Sequence, residues 1–295
     1  MQASRIEIDG GIAREISARR ILSPTSGFLA EAGFTHSLTP ARNCTFGCTY
    51  CYVPTMRVQG GLKPEDWRRW GQFTTFKTNA AELLGRELRP AQRGDRRIYC
   101  SPLVDPYQPA EAQRRAMPAI LDALLAAPPR VLALQTRGPL VLLDLEPLKA
   151  LSQRTIVRVS FSVTTNREDV RRLYEPHCAP VADRLQAIRE LRDAGIETYA
   201  TLAPLLPCDP EELARMAIEA SGRDLIGDPL HIRATKPRGA TTHPAAVKVS
   251  AANGYDEWLD AEFQSRMIRR IEKATGERGH AFVTGPRGFA RLATV

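Results

Sequence analysis

The chain has 295 residues, 43% apolar and 25% charged, with a formal net charge of +8; these are ordinary globular values that exclude disorder for the chain as a whole and allow a sizeable core. No apolar run approaches the length of a membrane span, and the opening MQASRIEIDGGIAREIS mixes charges without the apolar stretch of a secretory signal, so a cytoplasmic protein is expected. The basic balance fits a polyanionic partner such as nucleic acid, although only six of the 41 basic residues are Lys, an arginine bias that a GC-rich coding sequence also produces.

In chain order, FTHSLTP (34–40) reads as the first strand of a repeating pattern, and Cys44, Cys48 and Cys51 follow on the next loop. RRIYCS (96–101) is a strand, AEAQRRAMPAILDALLAA (110–127) a helix and RVLALQT (130–136) a strand. TIVRVSFSV (155–163) is the next strand. The helix after it, VADRLQAIRELRDAG (181–195), carries Val181, Leu185, Ile188 and Leu191 on one face, with Gly195 placed to end it. IETYATLAP (196–204) is a strand, and DPEELARMAIEA (209–220) a helix with Asp209 as its cap and Pro210 in its first turn. DLIGDPLHIR (224–233) is the last strand of the pattern; beyond it lie a basic stretch, TKPRGATTH (235–243), and a helix near EWLDAEFQSRMIRRIEKA (257–274).

Such cycles imply parallel strands with right-handed crossovers. The expected fold is therefore α/β, a partial (β/α)6 TIM-type barrel over residues 34–233. A short N-terminal extension (1–33) precedes it, and a C-terminal extension (234–295) closes or flanks it. Within TIVRVSFSV, Val157, Val159, Phe161 and Val163 alternate with Arg158, Ser160, Ser162 and Thr164. A strand covered on both faces is normally apolar on both. The polar side points to an occupied barrel interior; the alternative is an edge strand with one wet face.

The six cysteines fall as C-x3-C-x2-C at 44, 48 and 51, plus isolated Cys100, Cys178 and Cys208. In a cytosolic protein a tight cluster more often binds metal or does chemistry than forms disulfides. Three thiolates can hold three irons of a [4Fe-4S] cluster and leave the fourth open, and an open position is the mark of a catalytic metal site. The alternatives are a zinc site completed by a remote His such as His36, against which stands the lack of a second cysteine knuckle, and a purely structural iron-sulfur cluster.

CTFGCTYC (44–51) resembles the signature of the radical S-adenosylmethionine (SAM) superfamily. The resemblance implies that the amino and carboxylate groups of SAM chelate the open iron, and that reductive cleavage yields methionine and a 5′-deoxyadenosyl radical that takes a hydrogen atom from substrate. YCSPLVDPYQPAE (99–111), QTRG (135–138), SFSVTT (160–165), YEPHCAPVADRLQAIRELRDAGI (174–196) and APLLP (203–207) are similar to the spore photoproduct lyase-like group, often labelled DNA repair photolyase. The match covers roughly residues 34–233.

By that resemblance Tyr50 packs near the adenine of SAM, Arg137 pairs with its carboxylate, and Ser162 lies near SAM with Ser160 on the same inward side. Cys100 stands near the place of a hydrogen-atom donor, with Tyr52 as an assisting tyrosine; aligning on Asp105 instead puts Pro102 opposite that donor. Asp105 and Gln108 orient SAM or substrate, or cap the following helix. The Glu175 to Arg184 region follows the group's pattern, and an ion pair that positions a helix accounts for it equally well. Cys178 and Cys208 are packed thiols, or else ligands or redox partners at the barrel mouth. The implied substrate is a modified nucleic-acid base, with a peptide, an RNA or a small molecule as alternatives, and a non-catalytic iron-sulfur or zinc module as the alternative of another class. The implied partners are a nucleic-acid substrate and a flavodoxin- or ferredoxin-like electron donor, with no membrane and a monomeric chain.

Overall fold

The structure, a computed structural model, describes residues 5–8, 11–56, 69–89, 94–232 and 244–295. TKPRGATTH lies outside the described residues. The strands in chain order are β1 (Arg5–Ile8), β2 (Gly11–Ile16), β3 (Leu22–Pro24), β4 (His36–Leu38), β5 (Ala41–Arg42), β6 (Phe73–Lys77), β7 (Arg97–Cys100), β8 (Val131–Thr136), β9 (Ile156–Ser162), β10 (Glu197–Leu205), β11 (Leu225–Pro229) and β12 (Phe282–Thr284). The larger sheet runs β12-β11-β10-β9-β8-β7-β4-β3, parallel throughout except for the antiparallel edge strand β3. A parallel neighbour is reached only by a crossover. Here the crossovers run through the helices Ala80–Glu87, Met117–Ala126, Leu145–Ser152, Val181–Asp193, Pro210–Ser221 and Ala261–Gly276.

This is the α/β partial TIM-type barrel expected from the sequence. Its end strands β3 and β12 do not pair with each other among the described residues. Six of its parallel strands are those of the sequence pattern. The seventh, β12, comes from the segment expected to close or flank the barrel and pairs with β11.

Strand alternation sorts the core into two faces. Val157, Val159, Phe161 and Val163 join Leu132, Leu134 and Leu202 against Leu121, Leu148, Leu185 and Ile188 of the helices; burying each such side chain contributes roughly 1.5–3 kcal/mol. Ser160, Ser162 and Thr164 turn to the opposite side and are also buried. Because β9 lies between β8 and β10, that polar side lines the barrel interior and is not a wet edge. One end of the interior is filled by Phe34, Tyr99, Tyr199 and Ile226 together with Phe289 and Leu292 of the helix Gly285–Ala293. Arg158 anchors the chain end there, donating to the Thr294 carbonyl at 2.5 Å.

Two helix termini follow local chemistry. Asp209 accepts the Glu212 N–H at 3.1 Å, capping Pro210–Ser221, and Gly195 at φ 83 takes the left-handed conformation just past Val181–Asp193. The expected helix over 110–127 is two helices, Glu111–Arg114 and Met117–Ala126, separated by Arg115 at φ 47. Pro118 has no N–H and cannot sit inside a helix, so a new one starts around it. The buried Glu111 carboxylate accepts the Met117 N–H at 2.7 Å.

Burial pushes Glu111 up from 4.5 to about 7, against that hydrogen bond and Arg115. Between those two values the folded state holds a proton that the unfolded state has lost, so this group's stabilisation falls as pH rises from about 4.5 to 7 and then levels. In a series of melting temperatures against pH, Glu111→Gln is expected to flatten that decline; a variant with the wild-type slope would show that Glu111 is not its source.

The smaller sheet runs β1-β2-β6-β5. Its inner face, Ala13, Ala41 and Phe76, packs on the loop that leaves β5. No helix among the described residues is long and apolar enough to cross a membrane.

Candidate active site

The loop from Asn43 to Cys51 follows β4 and β5 at the carboxyl end of the first parallel strand, where barrels of this kind place their chemistry. Side chains distant in sequence hold its shape. Gln108, 1% exposed, accepts the Thr45 N–H through Oε1 at 2.8 Å and donates through Nε2 to Thr74 Oγ1 at 3.1 Å. Thr74 Oγ1 in turn faces the Arg42 and Asn43 carbonyls, each at 3.1 Å. Gly47 has φ 63, a left-handed conformation that favours glycine, and a Cβ there would stand a tight 3.1 Å from both Gly71 Cα and His177 Cδ2. Cys44 and Cys48 are buried and Cys51 is half-buried.

Beneath Cys48 lies a buried ionic network. Glu175 Oε1 accepts from Arg137 Nη1 at 2.6 Å, Tyr50 Oη at 2.5 Å and Thr164 Oγ1 at 2.9 Å, while its Oε2 faces Arg184 Nη1 at 2.6 Å. Burial alone would raise the Glu175 carboxyl, but Arg184 and Arg137, with the Tyr50 hydroxyl, outweigh it and hold the group down at about 2. The two guanidiniums and one carboxylate leave one positive charge in excess, and Arg137 Nη1 reaches Cys48 Sγ at 3.5 Å. The Cys48 thiol is held below its usual value, by its contact with Cys178 and by Arg137, against burial. Burial instead pushes Cys51 up to about 12.

Arg137 is aimed by Asp105. That carboxylate accepts the Arg137 N–H at 2.8 Å, the Thr136 hydroxyl at 2.7 Å and the Tyr107 N–H at 2.9 Å, which ties the loop after β7 to the end of β8. These contacts hold the backbone of Arg137.

The family model of the radical SAM superfamily matches residues 38–219, more than half of the chain. The chain belongs to the radical SAM superfamily. Relatives include an uncharacterized protein of Mycobacterium tuberculosis, 29% identical over 205 residues that cover 68% of this chain and 58% of that one. Another, from Methanocaldococcus jannaschii, is 24% identical over 193 residues, 65% of this chain and 67% of that one. The chain thus spans little more than half the length of its mycobacterial relative. Among solved structures, a variant of spore photoproduct lyase superposes with a TM-score of 0.63 at 16% identity, over 92% of this chain and 81% of that one. The lyase complexed with dinucleoside spore photoproduct gives 0.61 at 16% identity, with the same coverage. At that identity the likeness is one of fold.

Membership of this superfamily implies a [4Fe-4S] cluster and SAM, and the residues present fit both. Among the described residues, the one group of three metal-binding side chains whose ligand atoms lie within 4.8 Å of one another is Cys48, Glu175 and Cys178. The three loop thiols are therefore spread wider than the ~3.8 Å at which a single tetrahedral zinc, with Zn–S near 2.3 Å, holds its sulfurs. That spread suits one iron per thiolate. The group around Glu175 is no cation site, because its carboxylate is already taken by two guanidiniums. The excess positive charge beside Cys48 suits an anionic thiolate cluster and the carboxylate of SAM.

The remaining residues singled out in the sequence fall in two places. Ser160 and Ser162 lie inside the barrel, joined through Gln135: Ser160 Oγ donates to Gln135 Oε1 at 2.6 Å, and Gln135 Nε2 donates to Ser162 Oγ at 2.7 Å. Tyr99 Oη donates to the same Gln135 Oε1 at 2.8 Å. Gln135 and Tyr99 were not singled out from the sequence, although the alternation of Tyr99 with Ile98 and Cys100 carries the signal. Tyr52 Oη donates to the Pro102 carbonyl at 2.6 Å. Cys100 is 1% exposed in the apolar layer between sheet and helices, with Leu38, Ile98 and Leu134. The pleat of β7 turns Tyr99, and not Cys100, into the interior. Cys208 lies at the rim of that apolar layer, whereas Cys178 Sγ is 3.9 Å from Cys48 Sγ.

Proposed function

We propose that this radical SAM enzyme cleaves SAM reductively at a [4Fe-4S] cluster held by Cys44, Cys48 and Cys51, and acts on a modified base in nucleic acid. The observation that carries the reading is the set of three thiols on one mouth loop beside the Arg137–Glu175–Arg184 network, which carries one positive charge in excess. When bound, the cluster would pass one electron, received from a flavodoxin- or ferredoxin-like donor, into the sulfonium of SAM, giving methionine and a 5′-deoxyadenosyl radical that abstracts hydrogen from substrate.

The chain's own part is binding, orientation and exclusion of water. Arg137 keeps N–H donors beyond the one it gives Glu175 and offers them to the SAM carboxylate, a geometry suited to a guanidinium fork. Tyr50, fixed by Glu175, presents its ring toward the adenine. The Gln135, Ser160 and Ser162 layer forms a polar floor, and the aromatic layer around Phe289 seals the far end of the interior against water. The net charge of +8 and the fold shared with a lyase solved with a dinucleoside photoproduct support the nucleic-acid substrate.

Anaerobic reconstitution is expected to give a brown protein whose reduced EPR signal shifts on adding SAM, and dithionite is expected to release 5′-deoxyadenosine. A colourless zinc protein, or a cluster indifferent to SAM, would remove the reading.

A further inference from the structure

Strands β2, β5 and β6 of the smaller sheet separate their charges by face, while on β1 the register sets Arg5 beside Arg14 and Glu7 beside Ile12. The register also sets Ala13 beside Thr74, Glu15 beside Phe76 and Ala41 beside Phe76, and these residues point toward the cysteine loop: Ala13, Ala41 and Thr74 are fully buried, Phe76 is 2% exposed, and Glu15 pairs with Arg114 at 2.5 Å. Strand alternation turns the intervening residues outward. These are Ile12, Arg14 and Ile16 on β2, Phe73, Thr75 and Lys77 on β6, and Arg42 on β5, with Phe73 buried. The acidic residue of β2 thus faces in, while the basic residues of β2, β5 and β6 face out.

The outward cations form a compact set. Arg14 and Arg42 both stand opposite Thr75, one on each side of it. That places their strands two spacings apart, about 10 Å, with Lys77 roughly 7 Å further along β6. Arg14 and Arg42 are exposed and Lys77 is half-buried. Beside them exposed Arg69 lies over the Phe73 ring at 5.8 Å. The ammonium of Lys77 is pressed toward neutrality, to about 8, by burial and then by Arg42, with Glu87 opposing. The two oxygens of Glu87 meanwhile hold the Ile21 and Leu22 N–H groups at 3.0 and 2.8 Å. A solubilising surface mixes both signs; the outward charges of β2, β5 and β6 are all cations, the acidic residue in register with this face being Glu7 on β1, and an anion is favoured beside Arg14, Arg42 and Lys77. It also borders the site, because edge strand β5 runs directly into Asn43 and Cys44.

We infer that the outer face of β2, β6 and β5 docks the phosphodiester backbone of DNA through Arg14, Arg42 and Lys77, beside the cysteine loop. The inference rests on the nucleic-acid reading above and adds to it a location. Phosphate contacts of this kind fix position and carry no sequence information. They leave the choice of base to the barrel mouth, which a base enters only when turned out of its stack.

The test is the binding of a fluorescent DNA duplex, followed by anisotropy between 50 and 200 mM salt on the iron-loaded protein. Each phosphate contact removed lowers the slope of log affinity against log salt by about 1. Arg14→Gln/Arg42→Gln/Lys77→Gln is expected to lose about 3 from that slope and at least ~10-fold in affinity at the low-salt end. Arg14→Gln/Arg42→Gln, which leaves half-buried Lys77 intact, should lose about 2. The equally charged control Arg266→Gln/Arg269→Gln/Lys273→Gln, on the exposed side of the helix Ala261–Gly276, keeps the wild-type slope. Wild-type slope in both sheet variants overturns the docking face and leaves the substrate class standing. Wild-type protein that cleaves SAM but binds DNA with no salt dependence overturns both.

Discussion

Glu175→Ala is expected to destabilise the fold by about 3–5 kcal/mol, because it strands two desolvated guanidiniums without their shared carboxylate. Arg184 has a side chain 1% exposed and Arg137 one 15% exposed, and both pair with Glu175 at 2.6 Å. Neither can turn to water without breaking the packing around Cys48. At roughly 2–4 °C per kcal/mol for a chain somewhat smaller than this one, the melting temperature should fall by about 10 °C. The native carboxyl is depressed from 4.5 to about 2, so its stabilisation is complete above about 4.5 and is lost as pH falls from there toward 2. Melting curves of the iron-free protein across that range check both statements. A cost below about 1 kcal/mol would mean that the arginines are solvated in the folded chain, and the argument for an uncompensated positive charge at the site would go with it.

Cys48→Ala is expected to lower iron retention after reconstitution by ~100-fold or more, since even an outer partner of a metal ligand is worth 10–100-fold, and to abolish release of 5′-deoxyadenosine. Cys178→Ala is the informative companion. Its sulfur lies 3.9 Å from that of Cys48, close enough that contact alone does not separate a ligand from a packing neighbour. With three loop thiols as the complete protein ligand set, Cys178→Ala keeps its iron, and so does Cys100→Ser, whose side chain lies among helix-facing apolar residues. Iron titration and the EPR signal of each variant read this directly. Full iron content in Cys48→Ala, or loss of iron in Cys178→Ala, would replace the proposed ligand set.

The two experiments probe layers that differ in how far the sequence exposes them. C-x3-C-x2-C lies on one short loop, so the motif is written locally and is legible without the fold. The alternation in TIVRVSFSV was equally legible, and β9 buries its valines on the helix side and its serines inside. The break at Arg115 was missed because the apolar period runs unbroken across Pro118, and periodicity reports which face is buried but not where the backbone can donate.

What the sequence by itself determined is the order of six parallel strands and three of the crossover segments between them, the three-thiol loop and the polar lining of the barrel, because each depends on residues within a few positions of one another. The tertiary structure alone decided that Glu175 compensates Arg137 from 38 positions away, that Cys178 meets Cys48 across 130 positions, and that Cys100 faces helices while Tyr99 faces the interior. It also decided that the last parallel strand comes from residues 282–284. These depend on crossover connections and on strand register, which set distant side chains in contact or one pleat apart, and no spacing along the chain encodes which.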